Sequence, residues 1–266
     1  MSPTPGARQP GPQADRPAPA LRRALRERHL TMIALGGTVG AGLFVGSGAV
    51  IAAAGPAVVL AYALGGLVVV LVMRMLAEMA VAQPSTGSFV DHARQGVGDW
   101  AGYAVGWLYW WGWVVALAFE AVAGASILHG WLPQVPLGAW ALGMLVLVVA
   151  GNLLSVRSFG ESEFWLALLK ILAIVAFGVL GGLAVLGLLP GRDPGLPGLA
   201  GADLVPLGWL PVLTALVAVL FTYGGTEIVA IAAGEAADPR RALVRATRQV
   251  VGRIVLFYVG SIALVV

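Results

Sequence analysis

Seven long apolar stretches constrain the fold of this chain more than any other feature. They lie at roughly residues 30–54, 57–82, 100–128, 137–154, 163–189, 209–233 and 250–266. A helix needs about 20 apolar residues to cross a bilayer, and most of these stretches reach that length. Hydrophobic residues make up 59% of the sequence and charged residues only 11%. We therefore expect an all-α integral membrane protein whose surroundings are the lipid bilayer.

The arginines predict on which side of the membrane each loop lies. If the N-terminus is inside the cell, seven arginines lie in or beside cytoplasmic loops: Arg94, Arg157, Arg240, Arg241, Arg245, Arg248 and Arg253. Arg74 falls in the cytoplasmic half of the second stretch, and only Arg192 falls on the outer side. Cytoplasmic loops carry an excess of Arg and Lys, so we predict a multi-pass protein of the inner (plasma) membrane with a cytoplasmic N-terminus.

The residues before the first apolar stretch divide into two parts. Residues 1–20 contain six prolines and are expected to form a disordered cytoplasmic tail. Residues 21–29 contain four arginines and are expected to be a basic segment along the membrane surface.

The composition also excludes several classes of function. Cysteine is absent and the three histidines lie far apart, at His29, His92 and His129, so we expect no metal site. The sequence has no phosphate-binding loop, no cofactor motif and no catalytic residue set, and we predict that it is not an enzyme and holds no cofactor. The net charge of +3 is explained by membrane topology, and a nucleic-acid partner is not expected.

The first apolar stretch is interrupted at residues 36–42, Gly-Gly-Thr-Val-Gly-Ala-Gly. Each of its four glycines costs about 0.8–1 kcal/mol relative to alanine in a helix, so the helix is expected to open there. Unpaired backbone groups are tolerated at membrane depth only beside protein or a watery cavity. The prediction is a discontinuous helix whose free backbone binds a small solute.

A second interruption in the sixth stretch repeats the Gly-Gly-Thr triplet at residues 224–226 and is followed by Glu227. Glycine interruptions at corresponding places in two halves of a membrane protein indicate a transporter site between inverted repeats. Free amides at helix ends suit a carboxylate and free carbonyls suit an ammonium group, so such a site fits a zwitterion. The alternative is that the glycines only allow close helix packing, as Gly36 and Gly40 would in a small-xxx-small pattern.

Three ionisable residues fall well inside apolar stretches: Glu120, Lys170 and Glu227. Burying such groups is costly, which favours a functional role. Lys170 is the only lysine and lies about seven residues, or roughly 10 Å, into its stretch, so snorkelling to the interface is the less favoured interpretation. For the two glutamates, a structural contact between helices is the alternative to function.

A dense aromatic cluster opens the third stretch. Its members are Trp100, Tyr103, Trp107, Tyr109, Trp110, Trp111 and Trp113. We interpret the cluster as an interfacial aromatic belt, while some rings are candidates for lining a solute pathway that spacing alone does not identify.

Several motifs in this order resemble the bacterial amino acid permeases of the amino acid–polyamine–organocation superfamily. The resemblance covers everything after the tail, and its motifs lie at residues 29–44, 54–57, 76–80, 159–165, 224–227, 234–235 and 238–240. It implies a leucine-transporter-type inverted repeat with discontinuous first and sixth helices. The implied parts are a first five-helix repeat at 30–189, an extracellular loop at 190–208 and the start of a second repeat at 209–266.

The resemblance also implies functional residues and an activity, amino acid:proton symport by alternating access. The substrate carboxylate would meet Thr38, Val39, Gly40, Ala41 and Gly42, and its ammonium group would meet Phe221, Gly224 and Thr226. Lys170 would take part in proton coupling, with Glu120 and Glu227 as further candidates. The implied partners are an amino acid and protons; the oligomeric state and the particular amino acid are not predicted.

The sequence departs from this family in length. Family members have twelve spans, whereas this chain ends within its seventh, so we expect a fragment or a truncated reading frame. A non-transporting permease remnant or a membrane sensor is therefore the alternative function.

Overall fold

Every regular element that the computed structural model describes is helical. The described residues are 36, 39–83, 88–153, 156–191, 194–195, 204–228 and 248–266. The predicted tail, the basic segment at 21–29, Thr38, Arg240 and the motifs at 234–235 and 238–240 lie outside them. The fold class predicted from hydropathy, an all-α protein of apolar helices, is confirmed for the described residues.

The first glycine-rich stretch interrupts the regular helix. Val39 and Gly40 have no helical assignment, and a π-helical turn at Gly42–Gly46 leads into helix α1 (Ser47–Ala54). Helix α1 ends at Gly55, whose φ of +66° lies in the left-handed region that favours glycine. A short 3₁₀ turn at Gly55–Ala57 then starts helix α2 (Val58–Ala82), so a tight connection joins α1 to α2.

Four helices follow in chain order. They are α3 (Ser88–Val97), α4 (Asp99–Trp131), α5 (Leu137–Asn152) and α6 (Val156–Val185). Helix α3 packs on α4, and α4 packs on α5. Helix α6 begins seven residues before the predicted apolar stretch at 163, because its first two turns are polar and hydropathy does not detect them.

Helix α7 (Trp209–Thr222) stops at the second glycine-rich stretch. Residues 223–225 form a turn in which Gly225 has a φ of +91°, and residues 226–228 are helical again. The last segment, α8 (Arg248–Val265), contains a π-helical stretch at Ile254–Gly260. Both predicted interruptions are thus present among the described residues.

Four helical segments of the described chain are long and apolar enough to cross a membrane: Gly42–Ala80, Asp99–Trp131, Glu161–Val185 and Arg248–Val265. Two shorter apolar helices are Leu137–Asn152 and Trp209–Thr222. The 39-residue segment Gly42–Ala80 includes the turn at Gly55, so it comprises α1 and most of α2.

The core lies where α1, α2, α7 and α8 meet. Its largest buried side chains include Tyr62, Tyr223 and Tyr258, and glycines of α2 allow the close approach. A Cβ atom at Gly65 would lie 3.0 Å from Val219 of α7, and one at Gly66 would collide with Ile254 of α8. By contrast, α4 and α6 expose many apolar side chains, as helices facing lipid would.

Candidate functional site

A cavity of about 710 Å³ lies between the two helix interruptions and helices α2 and α4. Both glycine-rich stretches reach it, through Gly40 and Gly42 on one side and Gly224 and Gly225 on the other. Its other lining residues are Val72, Met75, Leu76, Met79, Phe89, Leu108, Tyr109, Gly112, Trp113, Ala116, Phe119, Glu120, Phe221, Thr222 and Glu227. Two stretches separated by about 180 residues therefore form one concave surface.

The first stretch leaves little room for side chains, because neighbouring groups lie close to its glycines. A Cβ atom at Gly40 would lie 2.6 Å from the Oε1 atom of Glu120, and one at Gly42 would lie 3.0 Å from the Cγ2 atom of Thr222. Val39 is fully buried and Ala41 is half-buried, and neither lines the cavity. Thr38 lies outside the described residues.

The second stretch presents an aromatic ring and backbone to the cavity. Phe221 and Gly224 are exposed and line it, and Phe119 of α4 packs edge-on against the Phe221 ring, with centroids 5.6 Å apart. Thr226 does not line the cavity. Its side chain is buried, and its hydroxyl donates a hydrogen bond to the Tyr223 carbonyl at 3.0 Å.

Glu227 accepts two hydrogen bonds at the second interruption. Its Oε2 atom accepts a hydrogen bond from the Gly225 amide at 2.9 Å, so it satisfies a donor that the interrupted helix leaves free. Its Oε1 atom accepts a hydrogen bond from the Tyr109 hydroxyl of α4 at 3.2 Å. The glutamate therefore both shapes the turn and connects it to α4.

The charge of the cavity favours a cationic group. Glu120 and Glu227 both line it, whereas none of its lining residues in the described part of the chain is basic. Charged groups in a confined, largely apolar space interact more strongly than in water. An ammonium group that entered the cavity would therefore find carboxyl groups as partners.

Lys170 lies outside this cavity but reaches the first interruption. Its Nζ atom donates a hydrogen bond to the Gly36 carbonyl at 3.5 Å. One helical turn earlier in α6, Ala167 is fully buried against Gly36, where any added Cβ atom would collide with it. Helix α6 thus contacts the start of the glycine-rich stretch through one packed residue and one charged residue.

Most of the cavity wall was not predicted from the sequence. Helix α4 contributes one face, at positions 108, 109, 112, 113, 116, 119 and 120, and α2 contributes positions 72, 75, 76 and 79. Both sets recur at helical spacing. The spacing of positions three and four residues from Glu120 is therefore the sequence signal that identifies the α4 residues on the cavity face. In the aromatic cluster only Tyr109 and Trp113 line the cavity, while Trp100, Tyr103, Trp107, Trp110 and Trp111 are exposed.

A family model described as amino acid permease matches residues 29–266 of this chain. A protein named as a probable GABA permease from Pseudomonas aeruginosa is 51% identical over 93% of this chain and 53% of its own length. A gamma-aminobutyric acid permease from Bacillus subtilis is 48% identical over 92% of this chain and 53% of its own length. The lysine-specific permease LysP of Escherichia coli is 40% identical over 93% of this chain and 51% of its own length.

The chain spans about half the length of the curated relatives it matches. No solved structure gives a significant match to it. Together with the apolar helices, the relatives indicate a multi-pass membrane protein.

Proposed function

Because this chain belongs to the amino acid permease family, we propose that the protein is a secondary active transporter that imports an amino acid with a proton by alternating access. Its relatives are named as permeases, which are transporters rather than enzymes. We expect it in the plasma membrane with the N-terminus in the cytoplasm. The observation that carries the proposal is the single cavity to which both glycine-rich interruptions contribute.

In the proposed site, the substrate carboxylate binds the backbone from Thr38 to Gly42. Free amides at a broken helix are suited to an anion. The ammonium group binds near Phe221, Gly224 and Thr226, where Glu120 and Glu227 add negative charge. Support comes from Gly40, Gly42, Phe221 and Gly224, which line the cavity with both glutamates.

γ-Aminobutyrate is the proposed first substrate to test. Two of the relatives above are named for it, and it carries the carboxylate and the ammonium group that the site is proposed to separate. The lysine-specific relative shows that family members with this degree of similarity differ in the amino acid for which they are named.

The proposed proton carrier is Lys170. A protonated ammonium makes a stronger hydrogen bond than a neutral amine, so proton loss would weaken the contact with the Gly36 carbonyl. This contact joins α6 to the start of the broken first helix. Proton binding at Lys170 would therefore change how the first broken helix is held. In the proposed inverted repeat, residues 30–189 form the first five-helix unit and residues 209–266 begin the second.

Uptake by the whole protein in proteoliposomes tests this function. We expect labelled γ-aminobutyrate or another amino acid to accumulate when the outside is more acidic than the lumen. A protonophore should abolish the accumulation, and protein-free liposomes should show none. Absence of gradient-dependent uptake for every amino acid tested would overturn proton symport, and equal exchange without a gradient would identify an exchanger instead.

A further inference from the structure

The carbonyl of Thr222, at the end of α7, is held by a side chain from another helix. In a continuous helix this carbonyl would accept a hydrogen bond from the amide of Thr226. That amide instead donates to the Tyr223 carbonyl at 3.4 Å. The hydroxyl of Tyr258, from α8, donates to the Thr222 carbonyl at 3.2 Å.

Tyr258 has little freedom to leave this position. It is fully buried, and its ring lies against that of Tyr223 with centroids 4.6 Å apart. The Tyr223 hydroxyl donates in turn to the Tyr62 carbonyl of α2 at 2.8 Å. Three tyrosines thus connect α2, the end of α7 and α8.

The local helix geometry places Tyr258 at an unusual point. It lies in the π-helical stretch Ile254–Gly260 of α8. Such stretches are rare and occur frequently at functional sites, because the extra residue in the turn changes where the following side chains point. A regular α-helix would direct position 258 differently.

Thr222 also contacts the other glycine-rich stretch. A Cβ atom at Gly42 would lie 3.0 Å from the Thr222 Cγ2 atom and 3.1 Å from its Cα atom. Thr222 and Gly42 both line the cavity. The end of α7 therefore packs closely against the first glycine-rich stretch at the cavity.

We propose that Tyr258 is a positioning residue for the substrate site: its hydroxyl holds the Thr222 carbonyl and so fixes the end of α7 against Gly42. Tyr258 does not line the cavity and acts through Thr222. The expected effect of Tyr258 on uptake rests on the proposed transport function. Its expected effect on the backbone at the end of α7 does not.

Replacing Tyr258 by Phe removes only the hydroxyl. In the whole protein, reconstituted in lipid, we expect hydrogen–deuterium exchange to become faster at residues 222–228 and not across the remaining helices. For labelled γ-aminobutyrate, the KM should rise about fivefold, the effect of losing one hydrogen bond, while the maximal rate per inserted molecule changes less than twofold. A merely structural role would lower the amount of folded protein and leave the KM unchanged.

Two further variants serve as controls. Tyr103→Phe removes a hydroxyl from a tyrosine that is 67% exposed, and neither readout should change. Replacement of Tyr258 by 4-aminophenylalanine restores a hydrogen-bond donor on the same ring and should return both readouts toward the wild type. If Tyr258→Phe folds poorly, recovery of folding, exchange and KM in this variant shows that the donor, and not the ring alone, is needed.

The two readouts separate the inference from the proposed function. Wild-type protein without uptake of any amino acid would overturn the transport function, and the exchange data alone would then decide the role of Tyr258. Unchanged exchange at 222–228, acceleration spread over all helices, or an unchanged KM in a transporting protein would overturn the positioning role.

Discussion

The two helix interruptions contribute to one cavity but are held in different ways. At the first, a Cβ atom added to a glycine would meet a neighbouring residue closely: Ala167 at Gly36, Glu120 at Gly40 and Thr222 at Gly42. Lys170 adds one hydrogen bond, to the Gly36 carbonyl. The first interruption is therefore shaped mainly by close packing.

The second interruption is shaped mainly by side-chain hydrogen bonds. Tyr258 bonds to the Thr222 carbonyl, Thr226 to the Tyr223 carbonyl, and Glu227 to the Gly225 amide. The bonds to the Thr222 carbonyl and from the Gly225 amide satisfy backbone groups that the broken helix would otherwise leave unpaired at membrane depth. The difference implies that added atoms should damage the first interruption, whereas loss of polar atoms should damage the second.

The largest effect is expected from Lys170→Ala, because this change acts on the proposed proton coupling and not on the close packing that shapes the first interruption. Gradient-driven accumulation of γ-aminobutyrate in proteoliposomes should be abolished, because the proposed proton carrier is gone. Arg74→Ala is the matched control, since Arg74 pairs with Glu78 at an exposed position, and it should leave uptake within about twofold. Normal accumulation by Lys170→Ala would mean that the lysine is only structural.

Gly40→Val should be next in size. The added side chain would approach Glu120 and fill part of the cavity, so the KM for uptake should rise at least about tenfold, as expected for roughly 1.4 kcal/mol of lost binding. The amount of protein inserted in the membrane should fall much less. Gly48→Val is the control, because no neighbouring atom lies within 4 Å of a Cβ atom there. A larger loss of insertion than of binding would favour the close-packing interpretation.

Gly36→Ala tests the packing against α6 directly. Overpacking at a buried contact costs about 1–3 kcal/mol, which should lower the thermal unfolding temperature of the purified protein. Adding Ala167→Gly removes the nearest colliding atom but leaves the Cα atom of residue 167 at 2.8 Å, so it should recover only part of the loss. A double variant no more stable than Gly36→Ala alone would show that this contact does not determine the packing.

The smallest effect is expected from Glu227→Gln. The amide side chain still offers an oxygen to one of the two donors, Gly225 or Tyr109, so the KM should rise only about threefold to fivefold. If Tyr109→Phe lowers affinity by itself but adds little in the Glu227→Gln background, the two residues act as a pair. Fully additive effects would contradict that coupling.

Local features of the sequence predicted both interruptions. Glycine propensity located residues 36–42 and 224–226, since the energetic cost of glycine in a helix depends on nearby residues only. Burial cost likewise selected Lys170 as a candidate. The residue that Lys170 contacts, Gly36, lies 134 positions away, and no local pattern identifies such a pair.

The remaining parts of the site depend on packing between distant segments. Tyr109 is one of seven aromatic residues close together in sequence, and only the rotation of α4 shows that it faces Glu227. The π-helical stretch that positions Tyr258 has no signature in hydropathy, which reports burial rather than the number of residues per turn. Such features require the three-dimensional contacts of α4, α7 and α8.

A structure of the whole protein with bound γ-aminobutyrate would show directly whether both interruptions bind the same ligand. We predict the amino acid in the cavity, with its carboxylate at the backbone of residues 38–42 and its ammonium group near Phe221 and Gly224. Both interruptions would then contact one ligand. An amino acid bound elsewhere, or held by only one of the two interruptions, would contradict the account.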